Sequence, residues 1–84
     1  MEKQEILRLI NGVFQEVFED KSLVITEMSE ANDIDEWDSL THIQLITAVE
    51  KAFSVRFKLD DILSFNNVGD MVVLLEDILN SKRS

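Results

Sequence analysis

The sequence almost lacks the residues that interrupt helices, because its 84 residues include no proline and two glycines, Gly12 and Gly69. β-Sandwiches and β-barrels of this length need many turn residues, so the shortage favours helices. A chain of this length holds one hydrophobic core at most and is too short to be divided. We therefore expect a single all-α domain over residues 1–84, with its apolar residues concentrated in short amphipathic elements.

Apolar residues recur with the helical period in three stretches, and a shorter apolar stretch lies between the last two. The first helix spans roughly residues 3–18, and a second follows Asp38, a good N-cap, and runs to about Phe53. Residues 59–63 suit one or two helical turns, and Asn67 can cap the last helix. The last helix carries its predicted core residues at Val68, Met71, Val72, Leu75, Ile78 and Leu79. The pattern predicts a small four-helix bundle of three main helices plus one short helix.

Residues 19–37 lose the helical period and are rich in side chains that favour turns, such as Asp20, Ser22 and Asn32. An irregular connection of this length is unusual in so small a domain. We therefore expect its apolar side chains to fold back onto the core and hold the connection in place. Those side chains are Leu23, Ile25, Met28 and Ile34.

Acidic residues dominate the charge: 8 Lys and Arg stand against 17 Asp and Glu, which gives a net charge of −9. Such a charge repels nucleic-acid phosphates and anionic lipid headgroups, so basic protein surfaces are the expected partners. Residues 16–38 carry nine of the acidic side chains and one basic one, Lys21. Lys82 and Arg83 follow at the C-terminal end of the last helix, where positive charge complements the helix dipole.

Met1–Gln4 leads into no secretory or membrane-spanning segment, and cysteine is absent. We therefore expect a cytoplasmic monomer without disulfides.

The inventory of reactive side chains argues against an enzyme, because there is one histidine and no cysteine, tyrosine or Gly-rich phosphate loop. Residues 33–38 resemble the opening of a calcium loop, but Trp37 occupies the position of the third oxygen ligand and Asp38 replaces the required glycine, so we expect no metal site.

Ser39 and His42 lie three residues apart, as a nucleophile and a base would, yet a catalytic triad also needs an orienting acid and an oxyanion pocket. His42 falls on the core side of its helix, so we expect it to be packed or hydrogen-bonded.

The second helix divides its apolar residues between two faces. The core-facing arc holds Leu45, Ile46, Val49, Ala52 and Phe53. Leu40 and Ile43 project from the other side, either as scattered exposed residues or as part of a contact surface. Ser39 opens the helix after an acid, so we expect its hydroxyl at the surface, beside unpaired amides and the positive end of the helix dipole. From the residues alone, Ser39 is either an ordinary first-turn residue or an attachment point for a phosphate.

The segment Glu36-Trp37-Asp38-Ser39-Leu40, followed by Thr41-His42-Ile43-Gln44-Leu45-Ile46, resembles acyl carrier proteins. The resemblance covers nearly the whole chain and rests also on its size, helix order and acidity, on Phe53 and on Asn67-Val68. It implies that a phosphopantetheinyl transferase attaches 4′-phosphopantetheine to Ser39, between Asp38 and Leu40. The terminal thiol of this arm would carry acyl groups as thioesters, so the chain would need no cysteine of its own.

The resemblance also implies a docking face and a route for the cargo. Partner enzymes, which transfer or condense acyl groups and have basic docking surfaces, would bind the outer face of the second helix at Leu40, Ile43, Gln44, Thr47 and Glu50. A nascent acyl chain would enter between the helices, with Ile46, Val49, Phe53, Ile62 and Met71 as candidate lining residues. Trp37 replaces the glycine common before the family's Asp-Ser-Leu, and it either packs the loop or covers the base of the arm.

The resemblance predicts a carrier that delivers acyl intermediates to the enzymes of a fatty-acid, polyketide or related pathway. Thr41, Gln44 and Lys51 stand where acids are usual in fatty-acid carriers, which leaves the pathway and the partners open. An aminoacyl or peptidyl carrier with the same arm is one alternative. The other is an unmodified acidic helical adaptor that binds a basic partner through Leu40 and Ile43.

Overall fold

The computed structural model of the protein describes residues 2–82, with side chains as far as residue 80. Its elements are α1 (Lys3–Val17), a 3₁₀ helix (Ala31–Asp33), α2 (Ser39–Phe53), α3 (Leu59–Ser64) and α4 (Val68–Lys82). Within residues 2–82 there is no strand, and no helix is long and apolar enough to cross a membrane. The predicted all-α bundle of three main helices and one short helix is therefore confirmed.

Helix α1 packs against both α2 and α4, and the core lies between these three helices. The helices contribute its most deeply buried side chains, namely Ile6, Ile10 and Phe14 from α1, Leu45 and Val49 from α2, and Val68, Met71, Val72 and Leu75 from α4. Ile78 and Leu79 are half-buried against this core, whereas Ala52 is exposed and does not belong to it. Arg83 and the side chain of Lys82 lie outside the described part of the chain, so the predicted complement to the helix dipole does as well.

The start of α2 is fixed by the N-cap that the sequence predicts. The Asp38 Oδ1 atom accepts hydrogen bonds from the backbone N–H groups of Leu40 and Thr41, each at 3.0 Å. The Thr41 hydroxyl accepts from the Asp38 N–H at 2.7 Å, which completes a capping box. The helix ends at Phe53, where Ser54 follows in the left-handed conformation with φ of 54°.

The connection between α1 and α2 is held down by three of the four side chains predicted to do so. Ile25 is 4% exposed, and Leu23 and Ile34 are half-buried against the core. Met28 is 78% exposed, so its predicted burial is wrong. The reason is a local turn in which the Ser29 N–H bonds to the Thr26 carbonyl at 3.1 Å, which leaves Met28 at the tip.

The same connection caps the start of α4. The carbonyl groups of Glu27 and Ser29 accept from the N–H groups of Gly69 at 2.8 Å and Val68 at 2.9 Å. A Cβ atom on Gly69 would lie 3.0 Å from the Glu27 carbonyl oxygen, so glycine permits this close approach. The predicted cap Asn67 accepts from the Asp70 N–H at 2.9 Å.

Candidate functional site

Ser39 is the first residue of α2 and is exposed. Among the hydrogen bonds of the described residues, none involves its hydroxyl group, so its oxygen is not engaged by the fold. The hydroxyl is therefore accessible to a modifying enzyme, as the sequence predicts.

The amides next to Ser39 differ from the expectation. The N–H groups of Leu40 and Thr41, expected to be unpaired, are both occupied by the Asp38 carboxylate. The Thr41 backbone N–H makes the largest contribution to lowering the pKa of Asp38 below its usual value, and the Thr41 hydroxyl and the Leu40 N–H add to it. Asp38 therefore stays ionised and serves as the cap, and it takes the place that an anion would otherwise occupy at this end of the helix.

An open groove of about 570 Å³ lies beside Ser39, between the start of α2 and α3. Its apolar lining comes from Trp37, Ile43, Leu59, Ile62, Leu63 and Phe65, with Asp38, Ser39, His42 and Asn66 among its polar residues. Of the candidate residues for lining a route into the bundle, Ile62 lines this groove. The other four, Ile46, Val49, Phe53 and Met71, are buried in the core, 8% exposed or less. The groove thus runs along the surface of the described structure and not through its core.

Trp37 packs the loop, which supports the first of its two interpretations. Trp37 is 9% exposed. Its ring packs edge-to-face against the ring of Phe14, with ring centroids 5.2 Å apart. Its indole Nε1–H donates to the Nδ1 atom of His42 at 3.0 Å, and the two rings stack with centroids 6.0 Å apart. His42 is half-buried, and its Nε2 atom lies 3.3 Å from the Ile62 carbonyl oxygen. The histidine is therefore packed and hydrogen-bonded, as predicted.

The outer face of α2 exposes most of the predicted docking residues. Leu40 is 70% exposed and Ile43 is 56% exposed, and Gln44 and Thr47 are exposed beside them. Glu50 differs, because it is half-buried and its Oε2 atom accepts from the Phe57 N–H at 2.8 Å. Its carboxylate therefore helps to hold the connection between α2 and α3, a role that the sequence pattern does not reveal.

Two exposed leucines of α3 continue this apolar surface across the groove. Leu59 is 68% exposed and Leu63 is 75% exposed, and both line the groove beside Ser39. The sequence pattern does not identify them as surface residues, because a helix of six residues gives too few positions to separate a buried from an exposed face. Ile43, Leu59 and Leu63 line the groove, and Leu40 follows the groove residue Ser39 on α2; these four exposed residues are called the groove-side surface.

Comparison with known proteins identifies the class of this domain. The model of a family described as phosphopantetheine attachment site matches residues 22–75, which include Ser39. A solution NMR structure of a holo acyl carrier protein from Geobacter metallireducens is similar, with 39% identity and a TM-score of 0.84, over 90% of this chain and 87% of that chain. A search of curated proteins gave no match.

The chain belongs to the acyl carrier protein family. Members of this family are carriers and not enzymes, and the group that they hold covalently is 4′-phosphopantetheine. In the part of the chain that the structure describes, no three His, Cys, Asp or Glu side chains are grouped in a way that could hold a metal ion.

Proposed function

We propose that Ser39 carries the 4′-phosphopantetheine arm and that the protein delivers acyl intermediates to biosynthetic enzymes of a fatty-acid, polyketide or related pathway. The observation that supports this most directly is the exposed Ser39 hydroxyl, which has no partner among the described hydrogen bonds and lies at the mouth of an open groove. The matched family region spans this serine. When bound, the arm supplies a terminal thiol that holds acyl groups as thioesters.

The residues around Ser39 fit such an arm. Asp38 fixes the first turn of α2, so the serine is presented at a defined position and not on a mobile loop. The adjacent groove has a volume of about 570 Å³ and a largely apolar lining, along which an arm attached at Ser39 can lie. Because the Asp38 carboxylate already occupies two of the first amides, the helix start adds little further attraction for a phosphodiester. The attachment therefore depends on recognition by the transferase.

We further propose that partner enzymes dock on the outer face of α2, with Leu40 and Ile43 as apolar anchors and Gln44, Thr47 and Glu50 around them. Both anchor side chains are exposed, and each contributes roughly 1.5–3 kcal/mol of binding free energy when a partner covers it fully. The net charge of −9 attracts partners with basic surfaces and speeds encounter, an effect that salt weakens. The transferase and the acyl-transferring or condensing enzymes would share this face.

The test is modification of the full-length protein with coenzyme A and a broad-specificity phosphopantetheinyl transferase, followed by intact-mass measurement and fragmentation. We expect one phosphopantetheine per chain, located on Ser39. Ser39→Ala should abolish the mass gain and leave the helical circular dichroism signal unchanged. Ser64→Ala is the matched control, because Ser64 is also an exposed serine at a helix end, and it should be modified normally. An adduct on the Ser39→Ala variant would refute the assignment.

The unmodified adaptor is the second candidate function. The exposure of Leu40 and Ile43 favours it as much as it favours a carrier, because an adaptor would also need an apolar contact surface. The same mass measurement separates the two functions. No mass gain on the unaltered chain supports the adaptor, and one phosphopantetheine supports the carrier.

A further inference from the structure

The single tryptophan and the single histidine of the chain are hydrogen-bonded to each other beside Ser39. Trp37 lies in the connection two residues before Ser39, and His42 lies three residues after it in α2. The other side of the imidazole ring reaches the carbonyl oxygen of Ile62 in α3. These contacts form a continuous bridge from the connection before α2, through His42 of α2, to α3.

The donors and acceptors of this bridge fix the protonation state of His42. An indole N–H can only donate, so the Nδ1 atom that it meets at 3.0 Å must carry no proton. A carbonyl oxygen can only accept, so the Nε2 atom 3.3 Å from Ile62 must carry one. The bridge is therefore complete only with a neutral ring in the Nε2–H tautomer. A second proton would place an N–H on Nδ1 directly against the indole N–H.

We propose that the Trp37–His42–Ile62 bridge is a proton-sensitive latch. Neutral His42 joins the connection before α2 to α3 and closes the passage from the groove into the core. Protonation of the ring expels Trp37 from its hydrogen bond and opens this passage. Histidine is suited to such a switch because its charge changes between about pH 5 and 8.

The titratable and charged groups near the ring lie on α2, on α3 and in the connection before α2. Among the described residues that line the groove, Asp38 is the other titratable side chain, and it belongs to the same helix end as His42. Asp38 lies four residues before His42, at the N-cap of the same helix. On α3, the Asp61 carboxylate accepts from the Lys58 N–H, and Asp60 is exposed. Trp37 and the exposed Glu36 belong to the connection before α2. The aromatic ring of Phe14 in α1 packs against the indole ring of Trp37.

The latch also has a consequence for the cargo, which rests on the proposed function. Ile46 follows His42 by one turn on the same side of α2 and is buried in the core, 3% exposed. The half-buried His42 ring lines the groove one turn before Ile46, which is one of the core residues expected to line a route into the bundle. With the latch closed, an acyl chain attached at Ser39 stays in the groove. With the latch open, it reaches the core.

The latch can be tested on the full-length protein without any modification, because Trp37 is its only indole and His42 its only imidazole. We expect the Trp37 fluorescence to pass through one transition between about pH 5 and 8. His42→Gln should remove this transition, since a glutamine side chain can accept from the indole and donate to the carbonyl but does not titrate there. The same transition in His42→Gln, or no transition in the unaltered chain, would overturn the proposal.

A second measurement decides the matter even if the variant does not fold. ¹⁵N NMR of the His42 ring at pH 8 should show the neutral Nε2–H tautomer, and the Nδ1–H tautomer would contradict the bridge.

The consequence for the cargo is tested with an octanoyl group loaded through the arm. At pH 8 the amide shifts caused by the acyl chain should be confined to the groove, and in His42→Ala they should extend to Val49. Shifts at Val49 in the unaltered chain at pH 8 would refute closure. A chain that cannot be loaded would refute the proposed function and leave the fluorescence and tautomer results intact.

Discussion

The two sides of this small bundle use the same kind of side chain in opposite ways. On the core side, where α1, α2 and α4 face one another, large apolar residues are fully buried, and Ile6, Phe14, Val72 and Leu75 are each 0% exposed. On the groove side, near Ser39, the four residues of the groove-side surface are left in water and are each between 56% and 75% exposed. One side therefore stabilises the fold, and the other keeps its apolar area for contacts that the chain cannot make by itself.

The comparison shows that stability and recognition are separable in this protein. Burial of a leucine or isoleucine is worth roughly 1.5–3 kcal/mol, and the core side has already gained it on folding. The groove side gains it only when a partner covers the surface. Substitutions on the core side should therefore change the free energy of unfolding, and substitutions on the groove side should change binding.

The largest effect is expected from the same substitution made on the two sides. Leu75→Ala removes a fully buried side chain of α4 and should lower the free energy of unfolding by about 2–5 kcal/mol. Leu63→Ala removes a side chain that is 75% exposed and should change it by less than about 0.5 kcal/mol. Urea unfolding followed by circular dichroism measures both. Equal losses would show that the two sides do not differ as described.

The second prediction reverses the comparison by measuring binding in place of stability. Leu40→Ala should weaken docking of a phosphopantetheinyl transferase by about 10- to 100-fold, since a covered leucine contributes roughly 1.5–3 kcal/mol. The effect is read as a rise in KM for the carrier, with an unchanged urea midpoint. Val24→Ala is the matched control, because Val24 is 77% exposed but lies on the connection after α1, away from the groove. An equal rise in KM for both variants would contradict a docking surface on α2.

The third prediction contrasts the two glycines. Gly69→Ala places a Cβ atom 3.0 Å from the Glu27 carbonyl, which is held there by the Gly69 N–H, so we expect a net loss of about 1 kcal/mol despite the better helix propensity of alanine. Gly12→Ala meets no atom within 4 Å and should gain about 0.5–1 kcal/mol. Thermal unfolding measures the two shifts. A gain in stability for Gly69→Ala would show that the connection yields without cost.

Much of the fold is predictable from the sequence because the responsible signals are local. The helical period places α1 within one residue of its end at Val17, and the capping residue Asp38 marks the start of α2. The same period identifies Leu40 and Ile43 as apolar residues outside the core. Ser39 at the surface follows from its place at a helix start, and its proposed role follows from the family resemblance.

The remaining features depend on contacts between residues that the pattern does not relate. The hydrogen bond of Glu50 to the Phe57 N–H and the bridge from Trp37 through His42 to Ile62 arise only when the connections fold back on the helices. Met28 is exposed because it lies in the turn from Thr26 to Ser29, which points away from the core. The residues of this turn do not by themselves determine which way the turn points. A hint of the bridge is present in the sequence, because the single tryptophan and the single histidine stand five residues apart.

The smallest effect is expected at the start of α2, where acid should act on the groove side before the core side. Hydrogen bonds, chiefly from the Thr41 N–H, hold the pKa of Asp38 below its usual value. A lowered pKa in the folded chain means that Asp38 adds stability above the ordinary aspartate range and loses it as the pH falls through the folded pKa, from about pH 4 downward. Asp38→Asn keeps a capping side chain but removes this titration.

The urea midpoint of the unaltered chain should therefore fall more between pH 5 and 3 than that of Asp38→Asn. The other carboxylates titrate in both chains, so the difference between the two midpoints isolates Asp38 from the relief of repulsion that acid brings to a chain of net charge −9. Amide hydrogen exchange locates the loss. The Leu40 and Thr41 N–H groups should lose protection at acid pH, because they donate to the Asp38 carboxylate. The Ile10 N–H in α1 should keep its protection, because the buried side chains that the structure describes on the core side are all apolar. Equal loss at all three amides would mean that the helix start and the core unfold as one unit.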